Sequence, residues 1–286
     1  MPGEGPNAPQ AAYWNGPSTR AWAREHERID ARFAPILDRL LARAAAQPGE
    51  RVLDIGCGSG TSTIALAERV GPAGRVLGID IAAESVEVAR RRIDAAGLAQ
   101  AEVLLADAAT HPFPPGGFDL LASRFGVMFF LQPIAAFAHL RAALRPGARV
   151  VLTAFRSPAE NRWTTGAAAA VRDLVPPPPP PGPEEPGQFA FADPARVERI
   201  LRGAGFAEVA LAPEDVPMRL GADAAEAAAF AMTLGQVSRA LQDAPDGARE
   251  GLREVVRDRL LDFYRAAEGP AGVTMPAAIW LVTARA

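Results

Sequence analysis

Residues 49–63 read Gly-Glu-Arg-Val-Leu-Asp-Ile-Gly-Cys-Gly-Ser-Gly-Thr-Ser-Thr, and this stretch decides the fold. The apolar run from Val52 to Ile55 is typical of a short strand buried in a parallel sheet. Three glycines at alternate positions follow it, namely Gly56, Gly58 and Gly60. A helical pattern begins directly after the last glycine. The stretch therefore predicts a strand, a glycine turn and a helix.

The glycine turn predicts a ligand site at the end of the strand. Glycines adopt torsions that other residues avoid, and without β-carbons they let a ligand approach the main chain. Backbone N–H groups and the helix start can then face a polar or anionic group. The spacing differs from the G-x-G-x-x-G of dinucleotide-binding proteins, because Gly60 follows Gly58 after one residue and Thr61 comes next. An acid, Asp54, precedes the first glycine by two residues.

Two further acids end predicted strands. Asp80 ends the apolar run that begins at Arg75, 20 residues beyond Gly60, where a βαβ unit places an acid beside the ribose of a nucleotide. A carboxylate there can accept hydrogen bonds from both ribose hydroxyls, although the same residue is also a good helix cap. Asp107 ends the next apolar run, at the same expected edge of the sheet.

These motifs together resemble the class I S-adenosylmethionine-dependent methyltransferases, and the run from Phe118 to Phe155 resembles the small-molecule, quinone-biosynthesis members of that family. The resemblance implies S-adenosyl-L-methionine as cofactor, with Asp107 and the Ala108 N–H at its adenine. It places Ser123 and Arg124 beside the methionine portion. The predicted cofactor-binding residues are Asp54, Gly56, Cys57, Gly58, Gly60, Asp80, Ile81, Asp107, Ala108, Ser123 and Arg124. For Arg124 two interpretations stay open: a ligand-binding arginine, or one that caps the sheet through carbonyls.

The predicted fold is α/β: a Rossmann-like, doubly wound, seven-stranded sheet, mostly parallel with an antiparallel last strand, plus helical insertions. Residues 1–48 form an N-terminal helical arm or lid, and residues 49–286 form the S-adenosylmethionine-binding domain. Insertions are expected at about 156–190 and at about 222–268. The first contains six consecutive prolines at 176–181, which favour a polyproline connection. Either insertion can wall an acceptor pocket, and the second can equally serve surface packing or dimerisation.

Within the N-terminal arm, residues 1–12 are expected to be disordered, and Pro35 is expected to separate two helices between residues 18 and 46. Tyr13 and Trp14 precede these helices. They are either core residues or the part of a lid that covers the ligand.

The predicted activity is transfer of a methyl group from S-adenosylmethionine to a small-molecule acceptor, with methylation of carbon or oxygen preferred by the likeness to quinone-biosynthesis enzymes. The predicted fourth strand, Phe118–Arg124, lacks the Asn/Asp-Pro-Pro-Tyr/Phe sequence of amino-methylating DNA enzymes, which argues against a DNA base as acceptor. Two alternatives remain at this point: an NAD(P)-dependent oxidoreductase, and a non-catalytic nucleotide-binding protein.

Composition narrows the partners further. The net charge of -3 supplies no field for nucleic acid or an anionic membrane, so we expect neither a nucleic-acid partner nor membrane insertion. All 30 basic residues are arginines, which rules out a Schiff-base lysine. Cys57 is the single cysteine, so no intrachain disulfide forms, and we expect it to pack beneath the glycine turn. The first residues lack the features of a secretory signal, and we expect a cytoplasmic protein and a possible homodimer.

The sequence selects no catalytic residue. His26, His111 and His139 are the histidines, and their titration range suits a general base, with His111 nearest the cofactor edge and His139 expected on a helix surface. Tyr264 is a further candidate that nothing in its neighbourhood favours. The histidines are scattered without ligand spacing, so no metal is expected.

Overall fold

A computed structural model of the chain describes residues 5–17, 19–175, 182, 184–242 and 249–286. The six prolines at 176–181, for which a polyproline connection was predicted, lie outside the described residues. The strands are β1 (Arg51–Ile55), β2 (Arg75–Asp80), β3 (Ala101–Leu105), β4 (Phe118–Arg124), β5 (Leu144–Phe155), β6 (Ala207–Gly221), β7 (Glu268–Gly269) and β8 (Gly272–Arg285).

The strands form one sheet in the order β3-β2-β1-β4-β5-β8-β6, with β7 paired to β8. Strands β1 to β5 pair in parallel, and β8 runs antiparallel between β5 and β6. The predicted α/β sheet with an antiparallel last strand is therefore confirmed. The described sheet has one strand more than predicted, because the two-residue β7 pairs with the start of β8. Strand β6 is also longer than its apolar run suggested, since it stays paired with β8 as far as Gly221.

Helices connect the strands and cover both faces of the sheet. They are α1 (Ala8–Trp14), α2 (Arg20–Arg24), α3 (His26–Ala44), α4 (Thr61–Val70), α5 (Ala83–Ala95), α6 (Pro133–Ala143), α7 (Arg162–Ala170), α8 (Pro194–Gly203), α9 (Ala224–Thr233), α10 (Gln236–Gln242) and α11 (Arg249–Arg265). Helix α7 belongs to the first predicted insertion, and α9 to α11 form the second. No helix among the described residues is long and apolar enough to cross a membrane.

Three clusters of buried apolar side chains hold the layers together. Helices α3 and α4 pack their buried Leu40 and Leu66 against Val52 of β1 and Leu120 of β4 on one face. A larger cluster includes Phe137 of α6 and joins α6, α8 and the insertions to the sheet. A third, smaller cluster packs α5 against β3. This layering leaves the carboxyl ends of β1 to β5 at one edge of the sheet, where open α/β sheets bind ligands.

The N-terminal arm differs from the prediction in two places. Residues 8–12, expected to be disordered, belong to helix α1, because Ala11 is buried and Asn7 makes buried hydrogen bonds to the main domain. The break between helices falls at Glu25 rather than at Pro35, which lies inside α3. A proline there frees the carbonyl of Ala31. Ala31 is exposed, so water can bond that carbonyl, while buried residues on both sides of Pro35 hold the helix in place.

Candidate functional site

The glycine turn after β1 has a backbone that only glycine adopts easily. Gly56, Gly58 and Gly60 have φ angles of 67°, 52° and 85°. A β-carbon on Gly56 would lie 2.4 Å from the Cα of Gly126, and one on Gly60 would lie 2.9 Å from the Cβ of Ala89. A β-carbon on Gly58 would meet no heavy atom within 4 Å. Gly58 therefore borders the open space of the site, whereas the other two glycines allow close packing.

Asp80 ties the glycine turn to the end of β2. Its Oδ2 accepts from the N–H of Gly58 at 2.8 Å, and its Oδ1 accepts from the N–H of Ala82 at 2.8 Å. Burial raises the pKa of this carboxyl, and these backbone N–H groups lower it in part. Each carboxylate oxygen can accept two hydrogen bonds, so Asp80 retains capacity for a ligand while it caps the turn. The sequence offered a cap and a ligand contact as alternative roles for Asp80. Asp80 can thus fill both roles at once.

Asp54 is fully buried at the end of β1. Its Oδ2 accepts from the hydroxyls of Ser62 and Thr63, both at 2.7 Å, which anchors the start of α4 to the strand. Its Oδ1 has no hydrogen-bond partner in the described part of the chain. Burial is the main cause that raises the pKa of Asp54 to about 6. An unpaired oxygen of this kind is costly to bury unless a donor completes it.

Arg124, at the end of β4, supplies a donor of opposite charge. Its Nη2 lies 3.4 Å from Asp30 Oδ1 on helix α3, and its buried Nη1 has no partner among the described residues. The Thr153 hydroxyl on the neighbouring strand is likewise buried and unpaired. Because β-strand side chains alternate, the pairing of Asp54 with Ala122 and of Arg124 with Thr153 puts all three on one face of the sheet. This face therefore presents an unpaired acceptor, a guanidinium donor and a hydroxyl.

At the end of β3, Asp107 is buried and its Oδ1 accepts from the N–H of Ala109 at 2.9 Å and from the Nδ2 of Asn7 at 3.0 Å. No hydrogen bond to its Oδ2, and none from the N–H of Ala108, occurs within the described residues. The Oδ2 acceptor of Asp107 and the N–H donor of Ala108 are thus left unpaired on consecutive residues. The amino edge of an adenine ring carries one donor and one acceptor, so it needs such a pair.

The remaining predicted site residues contribute mainly through the backbone. The Ser123 hydroxyl donates to the Ile55 carbonyl at 2.7 Å and accepts from the Gly126 N–H at 3.1 Å, so it joins the ends of β1 and β4. Cys57 is buried beneath the turn, where burial raises the pKa of its thiol. Its N–H donates to the Ile79 carbonyl, and the carbonyl of Ile81 accepts from Asn15.

All the predicted site residues therefore meet at the carboxyl ends of the four adjacent strands β3, β2, β1 and β4. The unpaired atoms of Asp54, Arg124 and Ala108, with the open space over Gly58, fit a ligand that carries an amino group, a carboxylate and an adenine. S-adenosyl-L-methionine has all three groups.

Comparison with known proteins decides the family. A methyltransferase domain model matches residues 52–147. The chain is 34% identical over 256 residues to the nocamycin O-methyltransferase of Saccharothrix syringae, covering 86% of this chain and 89% of that enzyme. The chain belongs to the S-adenosylmethionine-dependent methyltransferases.

Other relatives of the methyltransferase share a smaller part of it. The ubiquinone/menaquinone biosynthesis C-methyltransferase UbiE of Cupriavidus taiwanensis is 36% identical over 115 residues, which is 40% of this chain and 47% of that enzyme. Among solved structures, the YcgJ protein from Bacillus subtilis has a TM-score of 0.56 at 18% identity, covering 87% of this chain and 97% of that one, and shows the same fold. The predicted resemblance, cofactor and enzyme class are confirmed, and the oxidoreductase and non-catalytic alternatives are set aside.

The histidines of the methyltransferase serve local structure. The Nε2 of His139 lies 2.7 Å from the carbonyl of His111, and the two rings pack around Phe113. His139 is half-buried there rather than on a helix surface as expected. Burial and the neighbouring His139 lower the pKa of His111, and His26 contacts the carbonyl of Ala23. Burial raises the pKa of Tyr264 and so disfavours it as a base.

The described residues contain no group of three or more His, Cys, Asp or Glu that could hold a metal ion.

The sequence named Tyr13 and Trp14 of the N-terminal arm but missed the polar residues of the arm that lie beside the predicted site. Asn7 bonds Asp107, and Asn15 bonds the backbone of Ile81 and Ala83. Asp30 accepts from Thr61 at 2.5 Å and lies 3.0 Å from Arg92. Trp14 packs edge-on against Phe129 at 5.0 Å. The polar residues of the arm form no motif in the sequence. A partly buried acid such as Asp30, next to the buried Ile29, is nevertheless a signal that a helical projection can reveal.

Proposed function

We propose that the enzyme methylates an oxygen atom of a ring-bearing small molecule, held against an aromatic wall at the carboxyl ends of β4 and β5. The observation that carries this proposal is the clustering of five aromatic side chains beside Arg124. The aromatic wall consists of Phe33, Phe125, Phe155, Trp163 and Phe189.

The aromatic wall joins the sheet edge to the arm and to the first insertion. Phe125 stacks on Phe155 with ring centroids 4.1 Å apart and planes inclined by 7°. Phe33 of helix α3, Trp163 of helix α7 and Phe189 pack around this pair at centroid distances of 5.7 to 6.5 Å. Phe33 and Phe155 are buried, whereas Phe125, Trp163 and Phe189 are partly exposed. The partly exposed rings favour stacking with a planar acceptor ring.

Phe125 adopts a backbone conformation that supports a role at the site. Its φ of 66° lies in the left-handed region, which is unfavourable for a bulky residue. The conformation is held by a hydrogen bond from its N–H to the Thr153 carbonyl at 3.2 Å and by the stack on Phe155. Strained residues of this kind gather at functional sites, and here the strain turns the ring toward its neighbour on β5.

For the cofactor we propose four contacts. Asp80 accepts from the ribose hydroxyls, and Asp107 with the Ala108 N–H binds the adenine edge. Asp54 accepts from the amino group of the methionine portion, and Arg124 donates to its carboxylate. When bound, S-adenosylmethionine supplies the methyl group: the bond from sulfur to the methyl carbon breaks and its electron pair stays on sulfur, while the acceptor oxygen forms a bond to that carbon. The chain's own residues orient this group and keep water from it.

The arm and the insertions complete the site in this proposal. Residues 1–48 act as a lid, since α1 contacts the segments after β2, β3 and β4. Residues 49–286 form the catalytic domain, whose insertions at about 156–190 and 222–268 wall the acceptor pocket. Trp163 in the first insertion and Tyr264 in the second already meet there, since the Tyr264 hydroxyl lies 3.5 Å from the Trp163 carbonyl.

Oxygen is favoured over carbon by the extent of the similarity. The O-methyltransferase relative aligns over 86% of this chain, whereas the C-methyltransferase relative aligns over 40%. We assign no general base, because the histidines described above are engaged in loop contacts. An acceptor hydroxyl acidic enough to ionise near neutral pH needs none.

For the wider setting we propose a cytoplasmic enzyme that forms a homodimer and has no nucleic-acid partner. The net charge of -3 supports the last point. Light scattering measures the assembly, and a mass equal to one chain of 30.1 kDa would exclude the dimer.

The test is an acceptor screen with labelled S-adenosylmethionine across phenols, enols and carboxylic acids, with the methylated atom located in each product by NMR. Phe125→Ala and Trp163→Ala should raise the acceptor KM by about tenfold, the effect of losing one aromatic contact. Both should leave the cofactor KM within about twofold. Phe206→Ala is the control, since this ring packs on Phe137 at a centroid distance of 6.2 Å, outside the wall and outside both insertions. Methylation on carbon, or equal acceptor KM values for all three variants, would refute the proposal.

A further inference from the structure

Asn7 lies where the N-terminal arm meets the proposed adenine site. Its side chain is buried, and both ends of its carboxamide are used. Nδ2 donates to Asp107 Oδ1 at 3.0 Å, and Oδ1 accepts from the N–H of Leu131 at 3.0 Å. One side chain thus joins the arm to the segments that follow β3 and β4.

Asn7 makes these contacts in place of a local one. It stands at the N-cap of α1, where asparagine is favoured because its side chain can accept from an N–H of the first turn. No such cap bond forms here, since the carboxamide is turned toward Asp107 and Leu131. The position of the side chain is therefore explained by the tertiary contact and not by the needs of the helix.

The contact orients the carboxylate of Asp107. Oδ1 accepts from both Asn7 and the N–H of Ala109, while no donor in the described ranges bonds Oδ2. A carboxylate held by one oxygen cannot rotate freely about its side-chain bond, so its second oxygen keeps a fixed direction. Oδ2 and the N–H of Ala108 are the acceptor and donor that an adenine edge requires.

We propose that Asn7 is a positioning residue for the cofactor: by holding Oδ1 of Asp107, it directs Oδ2 to the adenine amino group. The proposal rests on the assignment of Asp107 to adenine made under the proposed function. Because one carboxylate serves both the arm and the adenine, docking of α1 and recognition of adenine strengthen each other, and the coupling is reciprocal. The arm thereby takes part in choosing the base of the nucleoside.

Asn15, at the other end of α1, provides a matched comparison. Its Nδ2 donates to the Ile81 carbonyl at 2.8 Å, and its Oδ1 accepts from the N–H of Ala83 at 2.9 Å. These contacts also join the arm to the main domain through both ends of a carboxamide. They touch only backbone groups and are exposed, so Asn15 tethers the arm without contacting Asp107.

The experiment compares two ligands on the full chain by calorimetric titration. One is S-adenosylhomocysteine, and the other is S-inosylhomocysteine, in which an oxygen replaces the adenine amino group. Asn7→Ala should weaken S-adenosylhomocysteine by about tenfold, as expected when a charge-assisted hydrogen bond is lost, and S-inosylhomocysteine by about twofold at most. Asn15→Ala should weaken both ligands by the same small factor, because it loosens the arm alone.

Two further variants make the outcome decisive. Asp107→Ala tests the underlying assignment: if it leaves the preference for adenine unchanged, the adenine site itself is wrongly placed. If Asp107→Ala removes the preference while Asn7→Ala weakens both ligands equally, the site stands and the role of Asn7 is overturned. Asn7→Asp keeps the size and the acceptor for Leu131 but faces Asp107 with a second carboxylate, so it should also lose the preference for adenine.

Discussion

The three glycines of the turn do different things, although the sequence presents them as one motif. A β-carbon on Gly56 would press on the backbone of Gly126, which has no flexible side chain to move aside. A β-carbon on Gly58 would enter open space, so only the left-handed φ of 52° disfavours another residue there. We therefore expect Gly56 to be required for folding and Gly58 for binding.

Alanine substitutions separate the two roles. Gly58→Ala should lower the free energy of unfolding by about 1–2 kcal/mol, the usual cost of a left-handed alanine. Gly56→Ala adds a backbone clash and should cost about 3 kcal/mol or more. Urea unfolding monitored by tryptophan fluorescence measures both. Calorimetry should show that Gly58→Ala also weakens S-adenosylhomocysteine, and equal stability losses in the two variants would contradict this division.

Asp54 predicts a pH dependence of cofactor affinity. Its pKa of about 6 in the free protein lies above the ordinary 3.8, because burial disfavours the charged form. The cationic amino group of the cofactor favours the ionised carboxylate, so binding lowers this pKa. Affinity for S-adenosylhomocysteine should therefore be level above about pH 7 and fall as pH drops below about 6, by up to about tenfold per unit.

Asp54→Asn is the control for this titration, since an amide cannot ionise. The variant should bind more weakly at pH 7.5 and lose the decline between pH 6 and pH 5. Because titration of the cofactor itself is common to both proteins, only the difference between their profiles reports Asp54. Parallel profiles would exclude Asp54 from the amino-group contact.

At the scale of elements, helix α3 carries the acid that holds Arg124. Asp30 joins the arginine of β4 to Arg92 of α5 and to the Thr61 hydroxyl at the start of α4. These side chains are mostly shielded from solvent, so removing the acid leaves two arginines without their shared partner. One helix of the arm thus fixes the proposed carboxylate-binding group.

Asp30→Ala should therefore weaken S-adenosylhomocysteine by about tenfold, the scale of one charged hydrogen bond. It should hardly affect 5′-methylthioadenosine, which lacks the amino and carboxylate groups. Asp38→Ala, on an exposed position of the same helix, should change neither affinity. Equal losses for the two ligands would mean that Asp30 supports the turn and not Arg124.

Helix α7 is fixed to the sheet by one buried amide. Asn161 exchanges two hydrogen bonds with the backbone of Ala278 on β8, both at 3.0 Å, and its Oδ1 also accepts from the indole N–H of Trp163. Removing the amide would leave the buried backbone of Ala278 without these partners. The aromatic wall depends on this anchor, because Trp163 is part of both.

Asn161→Ala should lower the free energy of unfolding by about 2–4 kcal/mol, through unsatisfied buried groups and lost packing. Arg162→Ala, at the next and exposed position, should change it by less than about 0.5 kcal/mol. Urea unfolding measures both values. A loss of similar size in the two variants would show that the amide is not the anchor.

For the whole molecule, ligand binding should appear as stability. A ligand present at one hundred times its Kd adds about 2.7 kcal/mol to the free energy of unfolding. For a chain of 286 residues that corresponds to a rise in Tm of about 4–5 °C. S-adenosylhomocysteine should produce this rise in a thermal scan and NAD should not. A rise with NAD alone would revive the oxidoreductase alternative.

The sequence by itself determined the sheet and the edge at which we propose that the cofactor binds, because local sequence patterns encode both. Apolar runs that end at Asp54, Asp80 and near Asp107 mark strand ends, and glycines at alternate positions mark the turn. Parallel strands connected by helices must align their carboxyl ends, so local order is enough to gather those acids. The start of helix α4 at Thr61, directly after the last glycine of the turn, followed from the sequence in the same way.

Only the tertiary structure decided what the arm contributes. Asn7 meets Asp107 across 100 positions and Asp30 meets Arg124 across 94, and no local pattern encodes such distances. The continuation of α3 through Pro35 was likewise set by burial on both sides, which outweighs one missing hydrogen bond. Local propensity fixes where elements begin and end, whereas the packing of the whole chain fixes which polar side chains meet when water is excluded between them.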